Sequence, residues 1–229
     1  MGIKLPVPDY STVSRRCGQI VFSIPKKPRK NEKLIVVVDS TGVKVYGEGE
    51  WKVRQHGASK RRTWRKAHLA VLPDGEIRAA ELTGNDIADG DVFKKLINQE
   101  ENEIEIVAGD GGYDKEKVYQ ACLAKKIKNI LIPPQKNAVI RQHGNSSLEP
   151  HPRDENLRQI RKTSLKKWKE QTGFHVRSLA ETAMFRFKTI IGDKFKFRTF
   201  KNQKTELMIS VSILNRMFSL GMPDSYAVA

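Results

Sequence analysis

Three acidic residues in this chain stand where an acid has chemistry available to it. Asp39 closes the unbroken apolar run of residues 34–38 in "LIVVVDSTG", and Asp110 closes a second apolar stretch in "IEIVAGD". Glu181 lies in "GFHVRSLAETAMFRFK", four residues after Arg177 and seven before Lys188, so that all three fall along one stripe if the segment is helical. Carboxylates brought face to face at the ends of neighbouring strands repel one another unless a cation lies between them. Hard divalent ions such as Mg²⁺ take oxygen ligands and keep waters for a phosphate substrate, so two or three carboxylates suffice to hold them. Read singly, each acid also has an ordinary use. Asp39 and Asp110 can cap a strand or turn, and Arg177 with Glu181 can be a surface pair worth a few tenths of a kcal/mol.

The elements that must position these groups follow from hydrophobic period and turn residues. Residues 34–38 predict a buried strand, and "GVKVYGEGEWKV" alternates as a hairpin does. Residues 64–84 predict two strands joined at Pro73, Asp74 and Gly75, where proline presets the turn and glycine accepts positive φ. An amphipathic helix over 86–98, a strand at "IEIVAGD", a helix at "KEKVYQACLAKK" and a strand at "KNILIPP" follow, the order that adds parallel strands to one sheet. Residues 135–152 read as an exposed loop, residues 154–191 as helical with a break at Gly173, and "TELMISVSILNRMFSLGM" as a last amphipathic helix. Prolines in "LPVPDY" and "IPKKPRK" make residues 1–30 a linker or docking arm. The expected organisation is therefore that arm, a catalytic domain over 31–204, and a C-terminal helix and tail over 205–229.

Composition narrows the partners. Lys and Arg number 42 against 26 Asp and Glu, a formal charge of +16 that favours nucleic acid without choosing between DNA and RNA. Residues 153–204 alone hold 15 Lys and Arg against 5 Asp and Glu. A second basic cluster, "SKRRTWRK", interleaves Arg61 and Arg62 with Trp64, an aromatic that can stack on an unpaired base or sit in the sheet. Two cysteines provide neither a disulfide framework nor a zinc site, and no histidine pairs at a metal-binding spacing. No signal peptide or membrane span is legible, so a cytoplasmic location with no membrane partner is expected.

The order of strand-end Asp, second strand-end Asp, and Glu on a late helix with Arg and Lys in register resembles the DDE transposases of bacterial insertion sequences, in the supergroup of insertion sequence families four and five. Their third region carries Tyr-x2-Arg-x3-Glu-x6-Lys, matched here by Phe174, Arg177, Glu181 and Lys188, with Phe where the signature has Tyr. The blocks "VVVDSTGVKVYGEGEWKVRQHG", "AGDGGYD", "RSLAETAMFRFKTIIGD" and "LNRMFSLGMPDSY" are similar to the family over about 190 residues. The resemblance implies an α/β, ribonuclease-H-like fold in which a mixed five-stranded sheet is flanked by helices. It also implies that Asp39, Asp110 and Glu181 are the catalytic residues and the ligands of two Mg²⁺ ions, for which Mn²⁺ can substitute. Arg177 and Lys188 would hold the DNA backbone, with Phe174, Arg61, Arg62 and Trp64 as further DNA contacts. The implied activity is metal-dependent cleavage at insertion-sequence ends and strand transfer into target DNA, by a homo-oligomer when DNA is bound. Family members carry a helical DNA-binding region before the point matched by "LPVPDYST", so the sequence reads as the catalytic part. Two alternatives stay open: a remnant that only binds DNA, and a nuclease of the ribonuclease H class acting on RNA–DNA hybrids.

Overall fold

The computed structural model describes residues 7–45, 64–142, 147 and 149–221. Strand β1 (Leu34–Val45) is central. On one side it pairs antiparallel with β2 (Trp64–Val71), Asp39 opposite Leu69, and β2 pairs antiparallel with β3 (Ile77–Gly84). On the other side it pairs in parallel with β4 (Ile104–Ala108), Val37 opposite Ala108, and β4 pairs in parallel with β5 (Asn129–Leu131). The order β3-β2-β1-β4-β5 is the expected mixed five-stranded sheet, and a two-residue sixth strand, β6 (Lys194–Phe195), joins the far end of β1 in parallel.

The first strand departs from its sequence reading. The expected strand stops at residue 38, whereas β1 runs on to Val45. Beyond Ala108 the parallel neighbour ends, yet β2 continues to offer hydrogen-bond partners as far as Lys44 opposite Trp64. A distant partner strand thus keeps the chain extended past Asp39. Gly42 contributes by its lack of a side chain, since a Cβ there would lie 3.3 Å from the Trp64 ring. Of the hairpin read over residues 42–53, residues 42–45 are the end of β1 and the rest lies outside the described residues. The β2–β3 connection matches its reading. Gly75 has φ +87°, its N–H donates to Leu72 O at 2.9 Å, and the Asp74 carboxylate accepts from the Glu76 N–H at 3.0 Å.

Helices cover both faces. Helices α2 (Asp89–Ile97) and α3 (Glu116–Ala124) pack Phe93, Leu96, Val118 and Tyr119 against Val36 and Val38. On the opposite face, α5 (Leu165–Thr172), α6 (Ser178–Arg186) and α7 (Phe200–Ser219) bring Trp168, Ala180, Ala183 and Val211 to Val37, Leu69 and Val43. Alternation along β1 therefore sends even-numbered apolar residues to one layer and odd-numbered ones to the other, each fully buried side chain contributing about 1.5–3 kcal/mol. Asp39, at an odd position, belongs to the layer of α6.

The helical stretch before Glu181 is divided more finely than its periodicity indicates. Helix α4 (Pro152–Lys162) ends at Thr163, and Ser164 caps α5 by accepting from the Lys167 N–H at 3.1 Å. Gly173, left-handed at φ +69°, then closes α5, as expected. The last helix begins at Phe200, five residues earlier than its apolar pattern, because the Thr199 side chain caps it. Within residues 1–30, helix α1 (Tyr10–Cys17) buries Cys17, and Ile24 enters the core.

Two buried ionic networks have no signature in the sequence. Arg78, 2 % exposed, donates to Glu100 at 2.7 and 3.1 Å, to Glu76 at 3.1 Å and to the Lys27 carbonyl at 2.8 Å, fastening the segment before β1 to the edge strand β3. Arg153 donates to Asp114 at 2.8 Å, linking α4 to the turn after β4.

Candidate functional site

Asp39 is delivered by the strand beyond the point where its parallel neighbour stops. One carboxylate oxygen accepts from the Ser40 N–H at 2.8 Å, and the other faces the Arg177 guanidinium at 3.4 Å. Burial pushes the Asp39 carboxyl above its ordinary 3.8; the Ser40 N–H and the Arg177 charge pull the other way, and the Asp110 charge pushes it further up. The Asp110 charge thus reaches Asp39 from the end of the neighbouring strand β4.

Asp110 reaches this place through a tight connection. After β4, Gly109 sits where a Cβ would lie 3.1 Å from both Val38 and Tyr113, so a larger residue would displace the packing under the acid. Asp110 then caps a 3₁₀ turn over Gly111–Tyr113, accepting from the Gly112 N–H at 2.9 Å. Glu181 lies in the first turn of α6, where the helix dipole favours an acid. Arg177, the last residue of the 3₁₀ turn Phe174–Arg177, donates to Glu181 at 2.6 Å while it faces Asp39. One guanidinium therefore joins two acids that are 142 positions apart in the chain.

Among the described residues, no three His, Cys, Asp or Glu side chains form a set able to hold a metal ion in this arrangement. Arg177 supplies the positive charge between Asp39 and Glu181. The donor chemistry fits a hard divalent cation, because every candidate ligand is a carboxylate oxygen and the Asp110 charge reaches the Asp39 carboxyl.

The other residues singled out from the sequence are distributed differently. Lys188 is exposed on the π-helical turn that follows α6, with no ion-pair partner among the described residues. The Phe174 ring is 6 % exposed, packed 5.5 Å from Trp168 and beneath the Lys169 ammonium, which places it in the support under α6 rather than on the surface. Trp64 is half-buried at the start of β2 with the Lys44 ammonium 5.8 Å from its ring. Arg61 and Arg62 lie outside the described residues.

One neighbour was not found from sequence. Tyr113 is 1 % exposed and its hydroxyl has no hydrogen-bond partner among the described residues; burial and the charges of Asp89, Asp39 and Asp110 push its titration well above the usual phenol range. It remains protonated beside the acids. The only hint is an aromatic three positions after the acid in "AGDGGYD".

The raised Asp39 carboxyl has a consequence for stability. An acid whose folded-state pKa exceeds its unfolded value makes the native state bind more protons, so stability falls as pH rises through that window and the ionised form is a cost at neutral pH. Asp39→Asn is expected to raise the melting temperature at pH 7, and the gain should vanish below the ordinary carboxylate range, where the wild-type acid is also neutral. Thermal melts of both proteins across pH check this, and a lower melting temperature for Asp39→Asn at pH 7 would contradict it.

A family model described as the transposase DDE domain matches residues 30–216, and a second model with the same description matches residues 1–48. The first span contains Asp39, Asp110, Arg177, Glu181 and Lys188, and the second contains Asp39.

Proposed function

The chain belongs to the transposase DDE domain family, and from that premise we propose that it cleaves DNA at insertion-sequence ends and transfers the freed strand into target DNA. The observation that carries the proposal is the Arg177 bridge from Asp39 to Glu181, with the Asp110 charge felt at Asp39. The bridge supports the reading by joining two of the three acids through one side chain, and the Asp110 charge at Asp39 supports the third.

In this reading Asp39, Asp110 and Glu181 hold two divalent ions, Mg²⁺ or Mn²⁺. When bound, the ions supply Lewis acidity on both sides of the scissile phosphate, at the attacking oxygen and at the leaving oxygen. The protein's share is placement. Asp39 is fixed by the pairing of its strand with β2, opposite Leu69, and Asp110 by a capped turn. Glu181 is 55 % exposed and rests on Arg177, so it is the ligand free to turn toward the aspartates. Arg177, released from Glu181, offers a planar fork to a backbone phosphate, and Lys188 a point charge about 10 Å along the helix from Glu181. Strand transfer holds element ends and target at once, so the active form on DNA is an oligomer.

Metal binding tests the donor set apart from DNA chemistry. Titration of the protein with Mn²⁺, followed by electron paramagnetic resonance, should show binding that weakens by at least about tenfold in Asp110→Asn, each lost carboxylate contact being worth more than about 1.4 kcal/mol. Equal binding by both proteins would remove Asp110 from the site.

A further inference from the structure

The corner where β6 meets α7 holds more cations than acids, Arg65, Lys196, Arg198, Lys201 and Lys204 against Glu206. Residues 194–198 alternate in burial, with Phe195 in the core, Phe197 half-buried, and Lys196 and Arg198 exposed. Their backbone is tied from beneath. Glu206 accepts from the N–H groups of Lys196 and Phe197 at 2.9 and 3.1 Å, and Gln203, fully buried, donates to the carbonyls of Phe197 and Arg198 at 3.0 and 3.2 Å. The same Gln203 accepts from the Arg65 guanidinium at 3.1 Å, which brings β2 to the corner. The Phe200 ring, 39 % exposed, has the Arg65 and Lys204 charges each 5.3 Å from its centre.

The nearby acids are already engaged. Asp193 pairs with Lys44 at 2.6 Å, and both Glu206 oxygens accept backbone N–H groups. Among the described residues none of Lys196, Arg198 and Lys201 is in an ion pair. Lys201 also lies in the first turn of α7, which contains no acid. A cation there opposes the helix dipole by about 0.3–1 kcal/mol, a local disadvantage that no ion pair among the described residues offsets. A tethered surface whose outward cations alternate with inward aromatics matches a ligand with regularly repeated negative charge.

The place of this corner identifies the ligand. Lys44 pairs with Lys194 across β1 and β6, and Lys44 is five residues beyond Asp39 on the same strand, about 17 Å. At 3.4 Å per base pair this is about five base pairs, near half a turn of a duplex. We propose that Arg65, Lys196, Arg198, Lys201 and Lys204 form a docking surface for the backbone of duplex DNA about half a helical turn from the phosphate held at the carboxylates. The location along the duplex rests on the function proposed above; the charge and geometry of the corner do not.

The test compares the full chain with the triple variant Lys196→Gln, Arg198→Gln, Lys201→Gln on a labelled random-sequence DNA duplex across a salt series. The three side chains are exposed, and equal thermal melts establish that the variant is folded. Affinity at about 0.1 M salt should fall by at least about tenfold, and the slope of log affinity against log salt should become shallower by about 2.7, for three lost phosphate contacts. The charge-conserving variant Lys196→Arg, Arg198→Lys, Lys201→Arg should retain the wild-type slope. An unchanged slope in the triple variant, or a wild type that does not bind DNA, overturns the proposal. So does an equal loss of binding to sodium polyglutamate, which would mark a general polyanion surface. If the slope falls as expected but the wild type carries out no strand transfer, the corner stands and the reading of the carboxylates fails. Strand transfer with an unchanged slope fails the corner alone.

Discussion

Asp39→Asn, Asp110→Asn and Glu181→Gln are each expected to abolish DNA strand transfer, a loss on the order of 10⁴-fold or more, while DNA affinity stays within about twofold. The size follows from the way groups that act as a unit fail together: removing one leaves little of the combined effect, so single losses approach that of the whole set. An amide keeps the shape of each side chain and its hydrogen-bonding oxygen but removes the charge that holds a divalent ion. The Ser40 N–H and the Gly112 N–H can still donate to the amide oxygens that replace the two aspartate carboxylates, so the strand and the 3₁₀ turn persist. Glu181→Gln tests the exposed ligand, and the Arg177 contact to Asp39 survives it. Activity within about tenfold of wild type in any one of the three would exclude that residue from the site.

Asp114→Ala has the largest expected effect on stability. Asp114 accepts from the Arg153 guanidinium at 2.8 Å, the Tyr119 hydroxyl at 3.2 Å and the Gln135 N–H at 3.0 Å, with its side chain only 1 % exposed. Truncation leaves a buried guanidinium without its main partner, which costs about 3–5 kcal/mol, or roughly 6–20 °C in melting temperature for a domain of this size. Replacing both partners, Asp114→Leu with Arg153→Met, should be less damaging than Asp114→Ala, because the guanidinium that Asp114 neutralises is removed with it; the remaining cost is the loss of the 3.5 Å contact from Arg153 to the buried Asp154. The function is affected as well. Asp114 closes the same 3₁₀ turn that Asp110 opens, so loosening it lets the second carboxylate drift. Urea denaturation of the single and double variants measures the difference, and a loss under about 1 kcal/mol in Asp114→Ala would contradict the account.

The parts of this molecule that were legible from sequence are those set by local pattern. The apolar runs at 34–38 and 104–108 identified the two parallel strands at the sheet centre, and the Pro73-Asp74-Gly75 turn identified the β2–β3 hairpin. The three acids stood out because two of them end those runs, and Arg177 with Glu181 stood out by helical spacing. What local pattern could not show depended on partners far along the chain. The continuation of β1 past Asp39 needs β2, and the burial of Arg78 and Arg153 needs acids 22 and 39 residues away. Phe174 illustrates the same limit. In sequence it is an aromatic in register with Arg177, but the left-handed Gly173 turns the chain so that its ring meets Trp168.

The central claim is that the carboxylates serve transfer of a DNA 3′-hydroxyl to a phosphate. Its most direct test is joining of a labelled, pre-cut element-end duplex to plasmid DNA by the wild-type chain in Mg²⁺ or Mn²⁺, with a matched duplex lacking the terminal 3′-hydroxyl. The account predicts a covalent joined product that requires both the divalent ion and the 3′-hydroxyl. Bound DNA with no joined product in either ion, or product formed equally from the duplex lacking the hydroxyl, would contradict it.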